Sequence, residues 1–349
     1  MSRLDENKLV KVGVMVCNEK ADVTYDNETK KYIATDNGYI KQLCEKVFGD
    51  GSTNPDPSML HQFNNILVKT ADHIVEPTVK EMLSALANYQ TVPVTATIFY
   101  DIPLLKNRPR IMYTAVGSTA DLVRIDQSEQ KKMAIRRVHT FATYYNPLDF
   151  VTDSVNTFNE TINNLAEEKV RRYYNLVMQC IDKAVGGDIP TKNSIQEANI
   201  TIKDYRSLED RFIRWGGKPV LIADSILINH LANQLTQTTS DYRSNNLADE
   251  LREALQITNF SRTTAVNMNN PFIDMKGTKT EYPVNKGYIF AGALQGKKPV
   301  QITEFGGMRQ TSEVETSAKR IKLQIDFEAD VTLLYGRLIG VVEDESLSI

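Results

Sequence analysis

The chain has 349 residues, with 41 Lys plus Arg against 44 Asp plus Glu, a formal net charge of −3, and 41% hydrophobic and 24% charged residues. That length leaves room for about two domains, and the composition is ordinary for a folded soluble protein. It excludes a disordered chain, a disulfide scaffold and a polybasic nucleic-acid binder. A conventional integral membrane protein is excluded too, because no run of about 18 apolar residues occurs.

Lys8–Cys17 (KLVKVGVMVC) alternates through Val10, Val12, Val14 and Val16, which predicts a strand. Gly38–Phe48 predicts a short helix ended by Gly49, and the turn formers of 49–57 predict a linker behind an N-terminal extension. Residues 58–89 predict a helix in two pieces, broken near Glu76–Pro77. Residues 91–143 hold short runs rich in β-branched and aromatic residues, which predict strands or an extended hairpin. Such a hairpin is poorly stable alone and needs the rest of the chain or another subunit to cover it.

Asn146-Pro147-Leu148-Asp149 reads as a helix start, with an Asn cap, Pro at the first helical position and an acid in the first turn. Apolar residues then recur at Val151, Val155, Phe158, Ile162, Leu165, Tyr173, Val177, Cys180 and Ala184, one buried helix face. Gly186-Gly187 ends it. A helix of about 39 residues spans about 58 Å and must act as a strut. Asp204–Trp215 predicts a helix closed by Gly216-Gly217, KPVLIA (218–223) a strand, and Asp224 or Ser225 the opening of a helix through Ile228, Leu231 and Leu235. Residues 246–255 predict another helix, and beyond 256 the chain reads as strand and turn. Strands, a long helix, a short mixed region and strands again make an α+β order.

Few motifs carry chemistry. GALQGKK (292–298) has its glycines one residue too close for a phosphate loop and Lys298 where Ser or Thr should stand, so it reads as a turn. His61, His73, His139 and His230 are scattered without metal-like spacing. Cys17, Cys44 and Cys180 have neither zinc-finger nor thioredoxin spacing and read as reduced thiols of a cytosolic product. Met1–Lys11 has no apolar stretch of signal-peptide length. Without one, the sequons at Asn159 and Asn199 carry no meaning. Trp215 reads as packing at the end of its helix. Lys131, Lys132, Arg136 and Arg137 form the strongest basic cluster. They read either as an ionic contact with a neighbouring subunit or nucleic acid, or as a solvated hairpin edge guarded by charge. Sequence alone favours the edge. No catalytic, cofactor-binding or metal residue is singled out.

The stretch KKMAIRRVHTFATYYNPLDFVTDSVNTFNETINNLAEEKVRRYYNLVMQCIDKAVGG, Lys131 to Gly187, resembles the segment joining extended loop to spine helix in tailed-phage major capsid proteins, the Hong Kong 97-type fold. GGKPVLIADSILINHLANQL resembles the strand and helix that open that family's axial domain. KGYIFAGALQGKKPVQITEF and RIKLQIDFEADVTLLYGRLIGVVED resemble its closing strands. The resemblance spans about 58–345 and rests on element order; residues 1–57 depart from it. It implies an N-terminal arm or small extension at 1–57, a helical lead-in at 58–91, an extended loop at 92–143, a peripheral domain with the spine helix at 144–199, an axial domain at 200–305 and peripheral return strands at 306–349. It also implies a structural protein, not an enzyme and without cofactor. Such a protein self-assembles into hexamers and pentamers of an icosahedral head around double-stranded DNA. Its partners would be copies of itself, with portal, scaffolding and decoration proteins. It would touch DNA only non-specifically and no membrane, and it would be assembled in the host bacterial cytoplasm. The four cations are then candidate intersubunit contacts. The alternatives are an encapsulin-like compartment shell and a soluble α+β enzyme.

Overall fold

The computed structural model describes residues 6–18, 25–26, 31–32, 36–49, 55–83, 86–102, 130–238, 259–260, 262–268, 270–292, 298–315 and 319–348. Its helices are α1 (Glu6–Cys17), α2 (Asp36–Phe48), α3 (Pro57–Met82), α4 (Pro147–Thr152), α5 (Ser154–Ala184), α6 (Ile202–Arg214) and α7 (Ser225–Thr238). Its strands are β1 (Tyr25–Asp26), β2 (Lys31–Tyr32), β3 (Ala87–Val92), β4 (Phe99–Ile102), β5 (Gln130–Met133), β6 (Arg137–Tyr145), β7 (Ser194–Glu197), β8 (Lys218–Ala223), β9 (Asn259–Phe260), β10 (Thr263–Asn267), β11 (Lys286–Gly292), β12 (Val300–Phe305), β13 (Arg309–Glu315), β14 (Arg320–Leu333) and β15 (Ile339–Asp344). The helix predicted at 246–255 and residues 103–129 of the expected loop lie outside the described residues.

β14 is the axis of the first sheet. β6 runs antiparallel along one side of it. β12 and β13 follow one another in line along the other, and β3 adds a parallel edge to β12. Between Glu304↔Ala329 and Arg309↔Asp326, residues 305–308 stand opposite only 327–328. This bulge turns at Gly306, whose φ of +77° favours glycine.

The second sheet has the order β7-β15-β11-β8-β10-β9. Its central strands β15, β11 and β8 are apolar on both faces through most of their length, with charged residues only at their ends, because both faces are covered. Ile222, Tyr288, Phe290, Ile339 and Val341 join the core built around α5. Leu221, Ala223, Ile289, Ala291 and Val342 alternate with them and pack with α6 and α7. Asp344 closes this sheet. Its carboxylate accepts from the backbone N–H of Asn199, Ile200 and Ser346 at 2.9, 2.8 and 2.9 Å. Burial alone would raise its pKa; these hydrogen bonds outweigh burial and hold it below the usual carboxylate range.

Several expectations hold. Asn146 caps α4, accepting from Leu148 N at 3.1 Å, and Pro147 opens it. The helix expected from Asp204 is α6, which starts two residues earlier at Ile202 with Thr201 as its cap, and Gly216 at φ +87° follows it as expected. Asp224 accepts from Ile226 N at 2.9 Å and so starts α7.

Others are corrected. The predicted strand Lys8–Cys17 is helix α1. Its buried residues are Leu9, Val10, Val12, Gly13 and Val16, a helical stripe laid on α3 and α5 in place of the alternating valines. Tertiary packing overrides the β preference of valine here. The predicted break at Pro77 is absent: Phe63, Leu67, Ala71, Val75, Val79 and Leu83 stay buried in steps of four across it. Pro77 itself faces outward.

The predicted 39-residue helix is two helices, of 6 and 31 residues, separated at Asp153 with φ −139°. The 31-residue α5 is about 46 Å long. The break turns Phe150 into the core, 0% exposed, and leaves Val151 46% exposed. Phe150 stacks on Phe48 at 5.5 Å and meets Phe63 and Tyr145 edge-on. Trp215 is the C-cap of α6 but remains 38% exposed, so it does not pack as expected. Strand pairing also redistributes two segments. Residues 300–305, expected with the axial part, pair with β14 and β3 in the first sheet. Residues 339–344, expected with the peripheral part, pair with β11 and β7 in the second.

Phe150→Ala is expected to lower stability by about 3–5 kcal/mol, while Val151→Ala changes it by no more than about 0.5 kcal/mol. Urea denaturation followed by circular dichroism checks the contrast.

Candidate assembly surface and buried charge cluster

α5 lies between the two sheets, and its midpoint carries a charge. Lys169 is fully buried. Its Nζ donates to Asp72 Oδ1 on α3 and to Glu304 Oε1 on β12 at 2.7 Å. The other oxygen of Glu304 accepts from the hydroxyls of Tyr173, at 2.6 Å, and Tyr89. The rings of Tyr173 and Phe327 flank the ammonium, with centroids 5.7 and 5.5 Å from Nζ. Glu304 immediately precedes the bulge, and a Cβ on Gly307 would lie 2.9 Å from Asp72 Oδ2. The bulge glycine therefore lets α3 bring its carboxylate to the sheet. Burial first, and then the Glu304 carboxylate, push the hydroxyls of Tyr89 and Tyr173 well above the ordinary tyrosine value.

Sequence reasoning missed this cluster. The apolar series of α5 skips from Leu165 to Tyr173, and Lys169 fills the empty place on that same face. That gap was the available signal. Nothing local marks Asp72 or Glu304, which reach Lys169 through pairing across 97 and 135 residues.

The basic cluster lies at the base of the expected loop. β4 and β5 form an antiparallel ribbon with Phe99↔Met133 and Tyr100↔Lys132 as partners. The face bearing Tyr100 and Lys132 turns inward. The Tyr100 hydroxyl bonds to Thr303 Oγ1 at 2.5 Å and accepts from Gln90 Nε2 at 3.0 Å. Lys132 pairs with Asp188 at 2.5 Å and donates to Leu333 O at 3.1 Å. Arg136 pairs with Glu328 at 2.9 Å and donates to Val94 O at 3.0 Å. These two cations thus fasten the ribbon to its own chain.

The other face turns outward. Lys131 is 3.9 Å from Asp101, both well exposed. Arg137, at the start of β6, is exposed and has no ion pair among the described residues. Phe99 and Met133, paired on this face, and Ile135 and Val138, close to them in the chain, are 50–63% exposed.

The remaining candidates stay dispersed. His230 Nε2 lies 3.4 Å from Asp344, His139 against the Phe327 ring, and His61 beside Gln310. Among the described residues, no group of three His, Cys, Asp or Glu side chains could hold a metal. None of the described helices is long and apolar enough to cross a membrane. All three cysteines are free, and burial pushes the Cys17 thiol up to about 11.

A long helix between a strand-rich layer and a second, helix-covered sheet is the arrangement of phage capsid proteins of the Hong Kong 97 type, and comparison bears this out. A chain of the satellite phage P4 procapsid including size determination (Sid) protein superposes with a TM-score of 0.50 at 11% identity, over 78% of this chain and 90% of that one. A chain of the mature capsid of bacteriophage PhiM1 gives 0.48 at 11% identity, over 76% and 87%. The family described as "SPbeta prophage-derived putative capsid protein YonB" matches residues 7–343. The SPbeta prophage-derived YonB of Bacillus subtilis (strain 168) is 40% identical over 347 residues, 99% of this chain and 98% of that one. The chain belongs to the YonB family of prophage-derived capsid proteins.

An unfolded tyrosine ionises near pH ~10. With Tyr89 and Tyr173 raised in the folded chain, their contribution is complete below that pH and is lost as pH rises above it. Melting temperature is therefore expected to fall above pH ~10, and less steeply in Tyr89→Phe. Scanning calorimetry across alkaline buffers reads this.

Proposed function

We propose that this chain is the major capsid protein of a phage head, assembling into hexamers and pentamers of an icosahedral shell that encloses double-stranded DNA. The observation that carries the reading is the β4–β5 ribbon. One face is bonded to the chain's own sheet, while the other presents Phe99 and Met133 to solvent, and Ile135, Arg137 and Val138 just downstream are exposed as well. Family membership supports it. A surface of that kind is costly on a monomer and useful between copies.

In this reading the segment 92–143 is the extended loop laid over a neighbour, and residues 1–57 are an N-terminal extension. The first sheet, α3 and α5 form the peripheral lobe. The second sheet, α6 and α7 form the axial lobe around the capsomer axis. Lys131 and Arg137 make intersubunit ion pairs, while Lys132 and Arg136 brace the ribbon that carries them. The role is structural, without catalysis or cofactor. Assembly takes place in the host bacterial cytoplasm, with portal, scaffolding and decoration proteins as further partners. The near-neutral charge suits a wall that meets DNA only non-specifically, since neutralising many phosphates needs a basic excess.

Size-exclusion chromatography with negative-stain microscopy of the expressed chain is expected to give shells or capsomers. A monomer or dimer under all assembly conditions would sink the proposal. Arg137→Glu is expected to abolish assembly while shifting monomer stability by less than about 0.5 kcal/mol. Normal shells from that variant would remove Arg137 from the interface.

A further inference from the structure

Between β10 and β11 the chain leaves the second sheet and returns as a tight hairpin, residues 270–282. Its foot is fixed. Asn270 Nδ2 donates to Tyr282 O at 3.0 Å and to Asp224 Oδ2 at 2.8 Å, and its Oδ1 accepts from Tyr282 N at 2.8 Å. Arg171 of α5 pairs with Glu281 at 3.1 Å. The tip is fixed as well. Asp274 accepts from the backbone N–H of Thr278 and of Lys279 at 2.9 Å, and from the Thr278 hydroxyl at 2.5 Å. The turn closes at Gly277, φ +66°. A Cβ there would sit 4.0 Å from the Phe272 ring, which lies across the turn.

This ordered tip displays apolar side chains outward. Phe272 is 57% exposed, Ile273 65%, and Met275 fully. A surface ordinarily carries such residues singly, not three together. Lys276 and Lys279 are exposed among them, while Asp274 is turned back on its own loop. The result is an apolar knob with a positive rim, already in one conformation, so little ordering is needed to bind through it.

The same chain carries a surface of matching character. α4 leaves Leu148 and Val151 outside, 44% and 46% exposed, with Asp149 and Asp153 exposed around them. Lys276, Lys279, Asp149 and Asp153 have no ion pair among the described residues. The outer face of the ribbon suits the knob less, since Lys131 and Arg137 there would oppose its lysines. Knob and α4 do not meet within one chain. The foot is tied to Arg171, and α5 begins at Ser154, about 26 Å away along the helix. An arm of about five residues reaches at most about 18 Å.

We propose that the 270–282 hairpin of one copy docks on the outward face of α4 of a second copy. Phe272, Ile273 and Met275 then cover Leu148 and Val151, and Lys276 and Lys279 face Asp149 and Asp153. Knob and seat are different surfaces, so the contact runs head to tail and can close a ring. The inference rests on the shell reading above and adds a fastening independent of the ribbon.

Disulfide trapping in the full chain tests it. Met275→Cys combined with Leu148→Cys, assembled under reductant and then oxidised, is expected to give a ladder of linked copies on non-reducing gels. Either single variant, with the chain's own three cysteines, is expected to stay unlinked. Lys276→Glu with Lys279→Glu is expected to lower shell yield by about tenfold or more, because like charges then meet. Adding Asp149→Lys and Asp153→Lys is expected to restore it. A wild-type chain that assembles while the double cysteine variant gives no ladder overturns the docking and leaves the shell reading standing. A ladder from Met275→Cys with Met133→Cys in its place seats the knob on the ribbon and overturns it too. A wild-type chain that never assembles overturns both.

Discussion

A cation in the middle of the core constrains everything around it. Lys169 has no route to water, so Asp72 from α3 and Glu304 from β12 must both come to it. Breaking such a group by removing one member costs about 3–5 kcal/mol, because the charges left behind stay buried. A hydrophobic residue at the same place would pack α5 against the sheet with more tolerance for sliding. A charge with two partners and two tyrosines behind them fixes the rotation and register of the helix at one point. The bulge at 305–308 and Gly307 follow from this constraint, since Asp72 approaches where a side chain would otherwise stand.

From that clamp the rest of the molecule extends. Above it, Phe48, Phe63, Phe150 and Tyr145 gather α2, α3 and α4 around the N-terminal end of α5. Toward the second sheet, Lys286 pairs with Asp182 of α5 at 2.9 Å, and Tyr174 meets Tyr282 edge-on at 5.0 Å. The same helix therefore holds both sheets. A wall subunit has this mechanical requirement: load entering at one lobe must reach the other without shearing the core. The β4–β5 ribbon hangs from the first sheet by Tyr100, Lys132 and Arg136, so a contact made on its outer face pulls on the clamped body.

Local chemistry was legible in the sequence and long-range pairing was not. The Asn146-Pro147 start, the Gly216-Gly217 stop and the apolar run of KPVLIA announce themselves within a few residues, and the structure has all three. Val10, Val12, Val14 and Val16 misled because β-branched residues favour strands until a helix surface offers them better packing. The break at Asp153 hides because it costs one turn and leaves the apolar spacing nearly intact. β15 goes to the second sheet through partners more than 100 residues upstream in β7, which no local pattern encodes. The charge cluster is non-local in the same way, and only the gap between Leu165 and Tyr173 hinted at it. The outward cations were legible as a group. Which of them the chain uses internally depends on Asp188 and Glu328, and their positions follow only from the fold.

The central claim is that one clamped body, bearing an outward ribbon, tiles a closed shell. A cryo-electron microscopy reconstruction of particles formed by this chain tests it most directly. Rings of five and six copies are expected, in which α3, α5 and the first sheet superpose from copy to copy. The Phe99–Met133 face of the ribbon is expected to be buried against the adjoining copy. Particles in which that face points to solvent, or copies in which α5 has slid relative to β12, would contradict it.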